Sequence, residues 1–478
     1  MNTQLKVKKL MDSLTEELMS PNNTSIVKLN SLIDTVQLNL AIIANLEIDP
    51  KQLMSAIKYV LSSSEKTGLD YTSLIALLDT LLRLSNFEDV LQVFSVDDIM
   101  RALQSNITPL IQCACKILTV SYPKDLFSTT NIVDVLLKLY FKEDTVVISG
   151  IEVVFQSLCV NQLIRRRILE NNYPLIKSMR ETSDVIMFSR LLELFNILIQ
   201  HIERSEFLED LFILNREEIK KSLRKDIFLF INVTKYYQSL LRVSTQDSKD
   251  HTAKAWALNS ILPVLPVFGY IYLNKNRYVD VHSFAMAYLF QLFRAISYLE
   301  GIDILRELDI QYLHISMEND DISHFLATLN PSYFLKYHVE LLQSHIFIKP
   351  SMLQVVKNII SCKETFEVIK PAITSDSILA MPYTEQMILL KRLSEYPYSA
   401  EYLIQELPKV ITNLITNENG PVRDPETVEL RKRVFENLLN KNAAILNVWY
   451  EPILDEYSKI CYGKRSSSLR TEIADAYL

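Results

Sequence analysis

Glycine is scarce in this sequence. Only 6 of the 478 residues are glycine, far below the average usage of ~7%. Sheet-rich folds need glycine in tight turns and bulges, and nucleotide-binding loops need it in clusters, because glycine adopts left-handed backbone conformations at little cost. The scarcity argues against both structures. It favours helices joined by polar or proline-containing loops.

Cysteine and the usual catalytic motifs are also sparse or missing. The 5 cysteines are too few and too scattered for a disulfide framework in a chain of this length. Cys113 and Cys115 lie two positions apart, so on a helix they point roughly 200° away from each other, and we predict that both are core residues. No two histidines are spaced i, i+3 or i, i+4, and no P-loop, G-x-S-x-G or H-E-x-x-H motif occurs. We therefore expect no metal, no cofactor and no enzymatic activity.

Long apolar runs and basic blocks are absent as well. Lysines interrupt the first residues, so we expect no signal peptide. The longest apolar run, residues 261–273, is too short to span a bilayer and contains proline and glycine, which predicts buried core. The net charge is −7, and the basic runs are short, Arg431-Lys432-Arg433 being one of them. Nucleic-acid binding depends on basic side chains that neutralise phosphates, so this composition argues against it. We expect a cytosolic or nuclear protein that contacts neither membrane nor nucleic acid directly.

Helical periodicity fills most of the chain. In residues 70–85, Leu74, Leu77, Leu78, Leu81 and Leu82 fall at helical spacing. Similar segments follow one another to the C-terminus, separated by proline-containing breaks. Paired, they give about eleven units of 40–45 residues, the period of HEAT and armadillo repeats. We predict an all-α, curved (C-shaped) α-solenoid of about eleven HEAT/armadillo-like repeats, a scaffold that buries its core by stacking neighbours.

The chain shows no Gly/Ser-rich linker that would divide it into domains. We therefore predict one continuous solenoid over residues 1–478. Residues 1–60 are the predicted N-terminal capping repeat, and residues 423–478 the C-terminal one, ending in a disordered or extended tail. Segments 244–254 and 416–427 are the predicted long loops between helices.

Three consecutive arginines stand in the apolar stretch 161–174. On a helix they fan over ~200°, with Ile164 and Ile168 forming the buried stripe. We expect the side-chain heads of Arg165 and Arg166 to reach out of the helix and bind an acidic segment of a partner, because a guanidinium group pairs with carboxylates bidentately. A plain solvated helix face is the alternative.

Two clusters of tyrosine and basic residues are further candidates for partner binding. The first is Lys235, Tyr236 and Tyr237, and the second is Tyr333, Lys336, Tyr337 and His338. Tyrosine and arginine are the residue types that most often anchor protein interfaces. The alternative is that the tyrosines pack between helices with their hydroxyl groups in water.

Four stretches carry a resemblance to a known family. They are "LIRRR" (163–167), "NPSYFLKYH" (330–338), "LPKVITNLI" (407–415) and "VWYEPILDEYSK" (448–459). In this order they resemble the yeast-type chaperones that assemble the base of the proteasome regulatory particle, a HEAT-repeat family with a helical-repeat counterpart in animals and an older label as mismatch-repair proteins. The likeness extends along nearly the whole chain. The last stretch is the predicted C-terminal cap, in which Trp449 is expected to bury the apolar face of the final repeat.

The resemblance implies a partner and a mode of action. It implies a clamp that holds the C-terminal domain of one proteasomal AAA-ATPase subunit in its concave face and touches neighbouring ATPase and scaffold subunits. Such a clamp would prevent premature docking on the proteolytic core particle, and it would use no cofactor. Two alternatives remain open. A protein acting directly in mismatch repair would need a basic stripe facing DNA, and an armadillo-type transport adaptor would need a ladder of tryptophans, of which the chain has 2.

Overall fold

The computed structural model describes residues 3–19, 25–63, 68–142, 147–245, 254–299, 301–316, 321–416 and 424–463. These residues belong to two compact units, unit 1 (Met1–Val264) and unit 2 (Leu265–Leu478), and each is described by itself. Within the described ranges all regular secondary structure is helical, which confirms the predicted all-α class. Most of both predicted long loops, 244–254 and 416–427, and the tail after residue 463 lie outside the described residues.

The helices of unit 1 follow one another closely along the chain. They are α1 (Thr3–Met19), α2 (Ile26–Ala41), α3 (Lys51–Ser62), α4 (Tyr71–Arg83), α5 (Phe87–Val93), α6 (Val96–Gln104), α7 (Thr108–Thr119), α8 (Ile132–Tyr140), α9 (Ile148–Leu158), α10 (Gln162–Arg166), α11 (Tyr173–Arg180), α12 (Val185–His201), α13 (Glu209–Phe212), α14 (Arg216–Lys225), α15 (Ile227–Thr245) and α16 (Leu258–Ile261).

Unit 1 is built around a row of neighbouring helices. In this row α2 packs on α4, α4 on α7, α7 on α9, α9 on α12 and α12 on α15. A second set of helices packs beside the row, with α3 contacting α5 and α6 contacting α8. The leucine stripe of α4, predicted from its spacing, is buried between these layers. Stacking in chain order is the arrangement of an α-solenoid.

Polar side chains set the starts of several of these helices. Asp70 accepts hydrogen bonds from the backbone N–H groups of Thr72 and Ser73 at 2.9 and 3.1 Å, which begins α4. Ser95 and Asp98 form a capping box at the start of α6. Such caps satisfy backbone donors that have no partner within the helix.

The helices of unit 2 are shorter on average than those of unit 1 and also follow one another closely along the chain. They are α17 (Pro266–Leu273), α18 (Met286–Ser297), α19 (Ile304–Leu308), α20 (Ile322–Thr328), α21 (Pro331–Tyr337), α22 (Val339–His345), α23 (Leu353–Ile359), α24 (Lys363–Ile369), α25 (Ser375–Leu379), α26 (Tyr383–Glu395), α27 (Pro397–Glu406), α28 (Pro408–Thr416), α29 (Pro425–Lys441) and α30 (Tyr450–Tyr462).

Unit 2 repeats the row arrangement. Here α18 packs on α20, α20 on α23, α23 on α26 and α26 on α29, while α21, α24 and α27 form a neighbouring series. Each unit thus has stacked helices in chain order, as the predicted α-solenoid requires. The single continuous array, the count of about eleven repeats, the C shape and the two capping repeats stay predictions.

The apolar run 261–273 lies in the interior, as predicted. Ile261, Leu265 and Phe268 are fully buried. Gly269 is needed there because an added Cβ would come within 2.8 Å of the ring of Tyr312, on the π-helical segment that packs against α17. Among the described residues no single helix has the length and apolarity to cross a membrane; one bent pair, Ala255–Ile261 with Pro266–Leu273, meets those two criteria alone.

The end of unit 2 includes the stretch of the predicted C-terminal cap. Ile453 of α30 and Leu446 are fully buried, whereas Trp449 is only partly covered and its neighbours Val448 and Tyr450 are exposed. Trp449 belongs to a 3-10 turn that directly precedes α30. That Trp449 buries the apolar face of the last repeat stays a prediction.

Candidate partner-binding surfaces

The three arginines lie where α10 passes into a π-helical turn, Arg167–Asn171. Ile164 and Ile168 are fully buried, as the spacing predicts. Arg166 remains half-exposed, and its Nε is 4.0 Å from the carboxylate of Glu170 on the same helical face. The three side chains therefore fan around the helix as expected. The role of Arg166 in partner binding stays a prediction.

Arg165 is an interior residue, with only 3% of its surface exposed. Its Nη2 donates to Oε2 of Glu206 at 2.8 Å and its Nε to both carboxylate oxygens at 3.1–3.2 Å. Its Nη1 donates to the carbonyl oxygens of Cys159 and Val160 at 3.1 and 2.8 Å. The expectation that Arg165 reaches out to a partner is wrong, because an internal carboxylate and two carbonyls take its donors.

Glu206 connects Arg165 to the 3-10 turn Arg204–Glu206. Besides Arg165, it accepts a hydrogen bond from the backbone N–H of Glu203 at 2.8 Å. Nearby, the buried amine of Lys254 donates to the carbonyl oxygen of Ile202 at 2.5 Å. Burial, with the positive charge of Arg165, lowers the pKa of Lys254 to about 8. This buried network holds residues 202–206 in place inside unit 1.

The tyrosines of the first cluster are also interior. Tyr236 and Tyr237 are fully buried on α15, and their hydroxyl groups donate to the carbonyl oxygens of Phe212 and Leu214 at 2.8 and 2.6 Å. The packing alternative therefore holds, with the difference that these hydroxyl groups bond to the backbone and not to water. Their prediction as partner-binding groups is wrong. Lys235 is exposed on the other side of the helix, and its role stays a prediction.

The second cluster surrounds a buried carboxylate. Asp309 accepts hydrogen bonds from the hydroxyl of Tyr333 at 2.6 Å and from the backbone N–H of Ile315 at 2.9 Å, and its Oδ2 lies 2.7 Å from Nε2 of His338. Burial alone would raise the pKa of Asp309, but these hydrogen bonds outweigh it and hold the pKa below its usual value. Tyr333 is thus a buried support of unit 2. Its prediction as a partner-binding residue is wrong.

The outer part of this cluster remains exposed. The hydroxyl of Tyr337 donates to Asp303 at 2.6 Å, and the amine of Lys336 lies 3.5 Å from the same carboxylate. Arg306 lies 4.6 Å from the ring centroid of Tyr337. The structure therefore brings the predicted residues 333–338 together, around two aspartates that the sequence analysis did not single out. Partner binding by Lys336, Tyr337 and His338 stays a prediction.

A groove on the row of unit 1 was not anticipated. It has a volume of about 520 Å³ and runs over α2, α4, α7 and α9. Its floor includes the small residues Ala76 and Gly150, and Val153 stands exposed at one end. Asp79 pairs across the groove with Lys116 at 3.5 Å. The only sequence pattern that could indicate this groove is the recurrence of small residues on an exposed helical stripe. Such a pattern is much less conspicuous than a run of arginines.

The next two helices of the row continue with exposed apolar side chains. Ile186 of α12 is 58% exposed and Phe228 of α15 is 63% exposed. On the same helical stripes, Asn232 donates a hydrogen bond to Ser189 at 3.2 Å. Lys235 lies two turns from Phe228 on the same stripe. We call the groove together with these stripes of α12 and α15 the row face. It combines apolar side chains with polar groups that are paired within the chain.

Metal binding, and thiol chemistry at Cys113 and Cys115, find little support in the described part of the chain. There, no group of three or more His, Cys, Asp or Glu side chains is close enough to hold a metal ion. Cys113 and Cys115 are both buried, as predicted, and burial raises the pKa of each thiol to about 12. Thiols with such pKa values are poor nucleophiles at neutral pH.

Comparison with known proteins gives a consistent family assignment. Residues 8–242 match the family model described as "DNA mismatch repair protein HSM3, N terminal domain", and residues 254–478 match the corresponding C terminal domain. A relative of the same description from Eremothecium gossypii is 55% identical over 99% of both chains. Relatives from Kluyveromyces lactis and Saccharomyces cerevisiae are each 35% identical, over 99% and 98% of both chains respectively.

Proposed function

The chain belongs to the HSM3 family, and we propose that it is an assembly chaperone for the base of the 26S proteasome regulatory particle. It binds the C-terminal domain of one AAA-ATPase subunit and keeps the unfinished ring from docking on the proteolytic core particle. The sequence resemblance suggests the partner, and the row face of unit 1 supports a protein-binding role. It requires no cofactor and no catalysis.

The row face of unit 1 is the observation that carries this proposal. Stacked helices of an α-solenoid present an extended surface suited to a folded protein domain. On this one, Val153, Ile186 and Phe228 are exposed at successive helices of the row. Isolated exposed apolar residues are ordinary, but apolar side chains on adjoining helices of one face are typical of a protein-binding site.

The composition of the row face also suits a partner that must leave. Asp79 pairs with Lys116 and Arg83, at 3.5 and 3.1 Å, so these charges are satisfied before any partner arrives. Interfaces that mix apolar anchors with polar groups are typical of complexes that form and dissociate, whereas obligate interfaces are larger and more hydrophobic. An assembly chaperone needs the first kind.

Direct action in DNA mismatch repair is the second candidate, because the relatives carry that description. The basic run Arg431-Lys432-Arg433 gives it little support. Arg431 is buried, donating to the carbonyl oxygen of Leu414 at 2.7 Å, while Lys432 and Arg433 pair with glutamates of their own helix. A duplex needs several free cations facing its phosphates. We therefore place this candidate second.

Binding of isolated ATPase domains by the full chain tests the proposal. We expect one of the purified C-terminal domains of the proteasomal ATPases to bind, and Val153→Asp with Ile186→Asp to weaken that binding at least about tenfold, since each buried carboxylate removes apolar contact and adds a desolvation cost. Val279→Asp, at an exposed valine of unit 2, is the matched control and should bind like wild type.

The same experiment also tests direct DNA binding, the second candidate function. A duplex with a single mismatch is titrated alongside, at several salt concentrations. Capture of the duplex and of none of the ATPase domains would overturn the chaperone proposal in favour of the second candidate. Equal loss of binding in Val279→Asp would show that the row face is not the surface used.

A further inference from the structure

A second groove of unit 1 lies away from the row face. It has a volume of about 290 Å³ and is bounded by α11, α12, α14 and α15. Phe188 and Leu229 form its apolar floor and are themselves almost fully buried. Phe188 is two positions from Ile186, roughly 200° around α12, so the groove opens on a different side of that helix.

The wall formed by α14 carries two lysines that pair with no carboxylate among the described residues, although Lys225 donates to the carbonyl oxygen of Ser183 at 3.3 Å. Lys221 and Lys225 are exposed and line the groove one helical turn apart. Both acids of α14 are engaged elsewhere: Glu217 pairs with Lys220 at 2.9 Å, and Glu218 accepts from Nη2 of Arg180 at 2.8 Å. Like charges at this spacing repel each other. A bound carboxylate would remove that repulsion.

The opposite wall carries a carboxylate. Glu181 and Thr182, which follow α11, line that side of the groove together with Arg180, whose charge is neutralised by Glu218 on the α14 wall. The groove is therefore dipolar, with ammonium groups on one wall and a carboxylate on the other. A nucleic acid, with a phosphate charge every ~1.7 Å along a duplex, would bring negative charge against Glu181.

The size of the groove restricts the ligand further. A volume of about 290 Å³ is at or below the lower end of the ~300–1,000 Å³ found for small-molecule and cofactor sites. It suffices for one large apolar side chain with its flanking backbone. An apolar floor with a charged rim is also the usual design of sites that anchor one side chain of a partner.

We propose that this groove binds a short linear segment of a partner protein. One large apolar side chain of the segment lies over Phe188 and Leu229, an acidic residue beside it faces Lys221 and Lys225, and a basic residue on its other side faces Glu181. This site goes beyond the proposed function, since it lies off the row face and takes a peptide segment, not a folded domain.

A labelled peptide of that pattern tests the site directly. The probe is a fluorescein-labelled peptide with a central phenylalanine, preceded by lysine and followed by two aspartates, and its anisotropy is followed on titration with the full chain. Lys221→Glu with Lys225→Glu should weaken binding at least about tenfold, because an attractive pair becomes repulsive. Lys220→Glu is the matched control, since Lys220 lies on the same helix outside the groove lining, and it should leave the affinity within about twofold.

A charge exchange makes the test specific to the proposed orientation. Adding Glu181→Lys to the Lys221→Glu, Lys225→Glu variant reverses both walls, and this variant should prefer a peptide whose lysine and aspartates are exchanged. Lys221→Met with Lys225→Met serves if the glutamate variant unfolds, and it should show an intermediate loss. Unchanged binding in these variants, failure of the wild type to saturate with the probe, or tighter binding of a duplex oligonucleotide would overturn the proposal.

Discussion

Arg165 in unit 1 and Asp309 in unit 2 are both almost fully buried charges, yet their surroundings differ. Arg165 pairs with the carboxylate of Glu206, whereas Asp309 accepts hydrogen bonds from a hydroxyl, a backbone N–H and the partly exposed His338, with the guanidinium of Arg306 3.8 Å away. A carboxylate can become neutral by taking up a proton, and a guanidinium cannot lose its proton in a protein. These two buried charges therefore call for different tests: Asp309 can be neutralised by protonation, whereas Arg165 can be neutralised only by substitution.

The largest expected effect comes from removing the arginine. Arg165→Ala leaves the carboxylate of Glu206 buried without its countercharge, and breaking a buried pair in this way typically costs ~3–5 kcal/mol. Trp256 is a suitable reporter, because it contacts Phe207, the residue after Glu206, at 4.9 Å between ring centroids. In a Trp449→Phe background, urea unfolding followed by Trp256 fluorescence should shift strongly to lower urea.

Arg166→Ala is the matched control for that experiment. Arg166 is half-exposed, so its loss should change the free energy of unfolding by no more than about 0.5 kcal/mol. Equal midpoints for the two variants would contradict the burial of the Arg165 pair. A larger loss in Arg166→Ala than in Arg165→Ala would mean that Arg166, and not Arg165, holds the buried position.

The arginine run shows which features the sequence could predict and which it could not. Helical spacing predicted the buried stripe Ile164/Ile168 and the fan of the three side chains, because both depend only on the 3.6-residue period. The fate of Arg165 depends on Glu206, 41 positions away. Local spacing contains no information on which distant carboxylate will meet a side chain, so the buried pair looked like a surface group.

The two tyrosine clusters and the row face repeat this lesson. The residues next to Tyr237 in the sequence do not indicate that the carbonyl of Leu214 will accept its hydroxyl hydrogen bond. The groove of the row face likewise includes small residues, such as Ala76 and Gly150, from different helices. Composition and period therefore sufficed for the all-α class. The candidate site depends on contacts between helices, and composition and period do not predict such contacts.

Removing the carboxylate of unit 2 should have the next largest effect. Asp309→Ala leaves the Tyr333 hydroxyl and the Ile315 N–H without their acceptor, at a cost of about 2–3 kcal/mol for buried donors. Trp449 fluorescence in a Trp256→Phe background provides the readout in unit 2. Asp303→Ala, at the exposed carboxylate of the same cluster, should lower the free energy of unfolding clearly less than Asp309→Ala does, because solvent screens this carboxylate. A reversed order of these two variants would move the centre of the cluster from Asp309 to Asp303.

Lowering the pH should neutralise the buried carboxylate of unit 2 without removing its side chain. The pKa of Asp309 lies below its usual value in the folded chain, so its contribution to stability is present above the unfolded-state pKa of about 4 and is lost as the pH falls through the lower, folded value. Asp309→Asn keeps the shape but cannot titrate. The stability difference between wild type and this variant should therefore shrink from pH 7 towards pH 3. A constant difference over that range would show that Asp309 is not held as a carboxylate.

The smallest expected effect on stability comes from removing one tyrosine hydroxyl group in each of the two tyrosine clusters. Tyr237→Phe removes a buried hydroxyl that donates to the carbonyl of Leu214 at 2.6 Å, and the unpaired carbonyl should cost about 1–1.5 kcal/mol. Tyr337→Phe removes a hydroxyl that donates to the exposed Asp303, which water can solvate, so the change should stay within about 0.5 kcal/mol. Chemical denaturation of the two variants provides both values. If Tyr337→Phe costs as much as Tyr237→Phe, exposure does not distinguish the clusters, and the Asp303 contact would have to belong to the stabilising interior of unit 2.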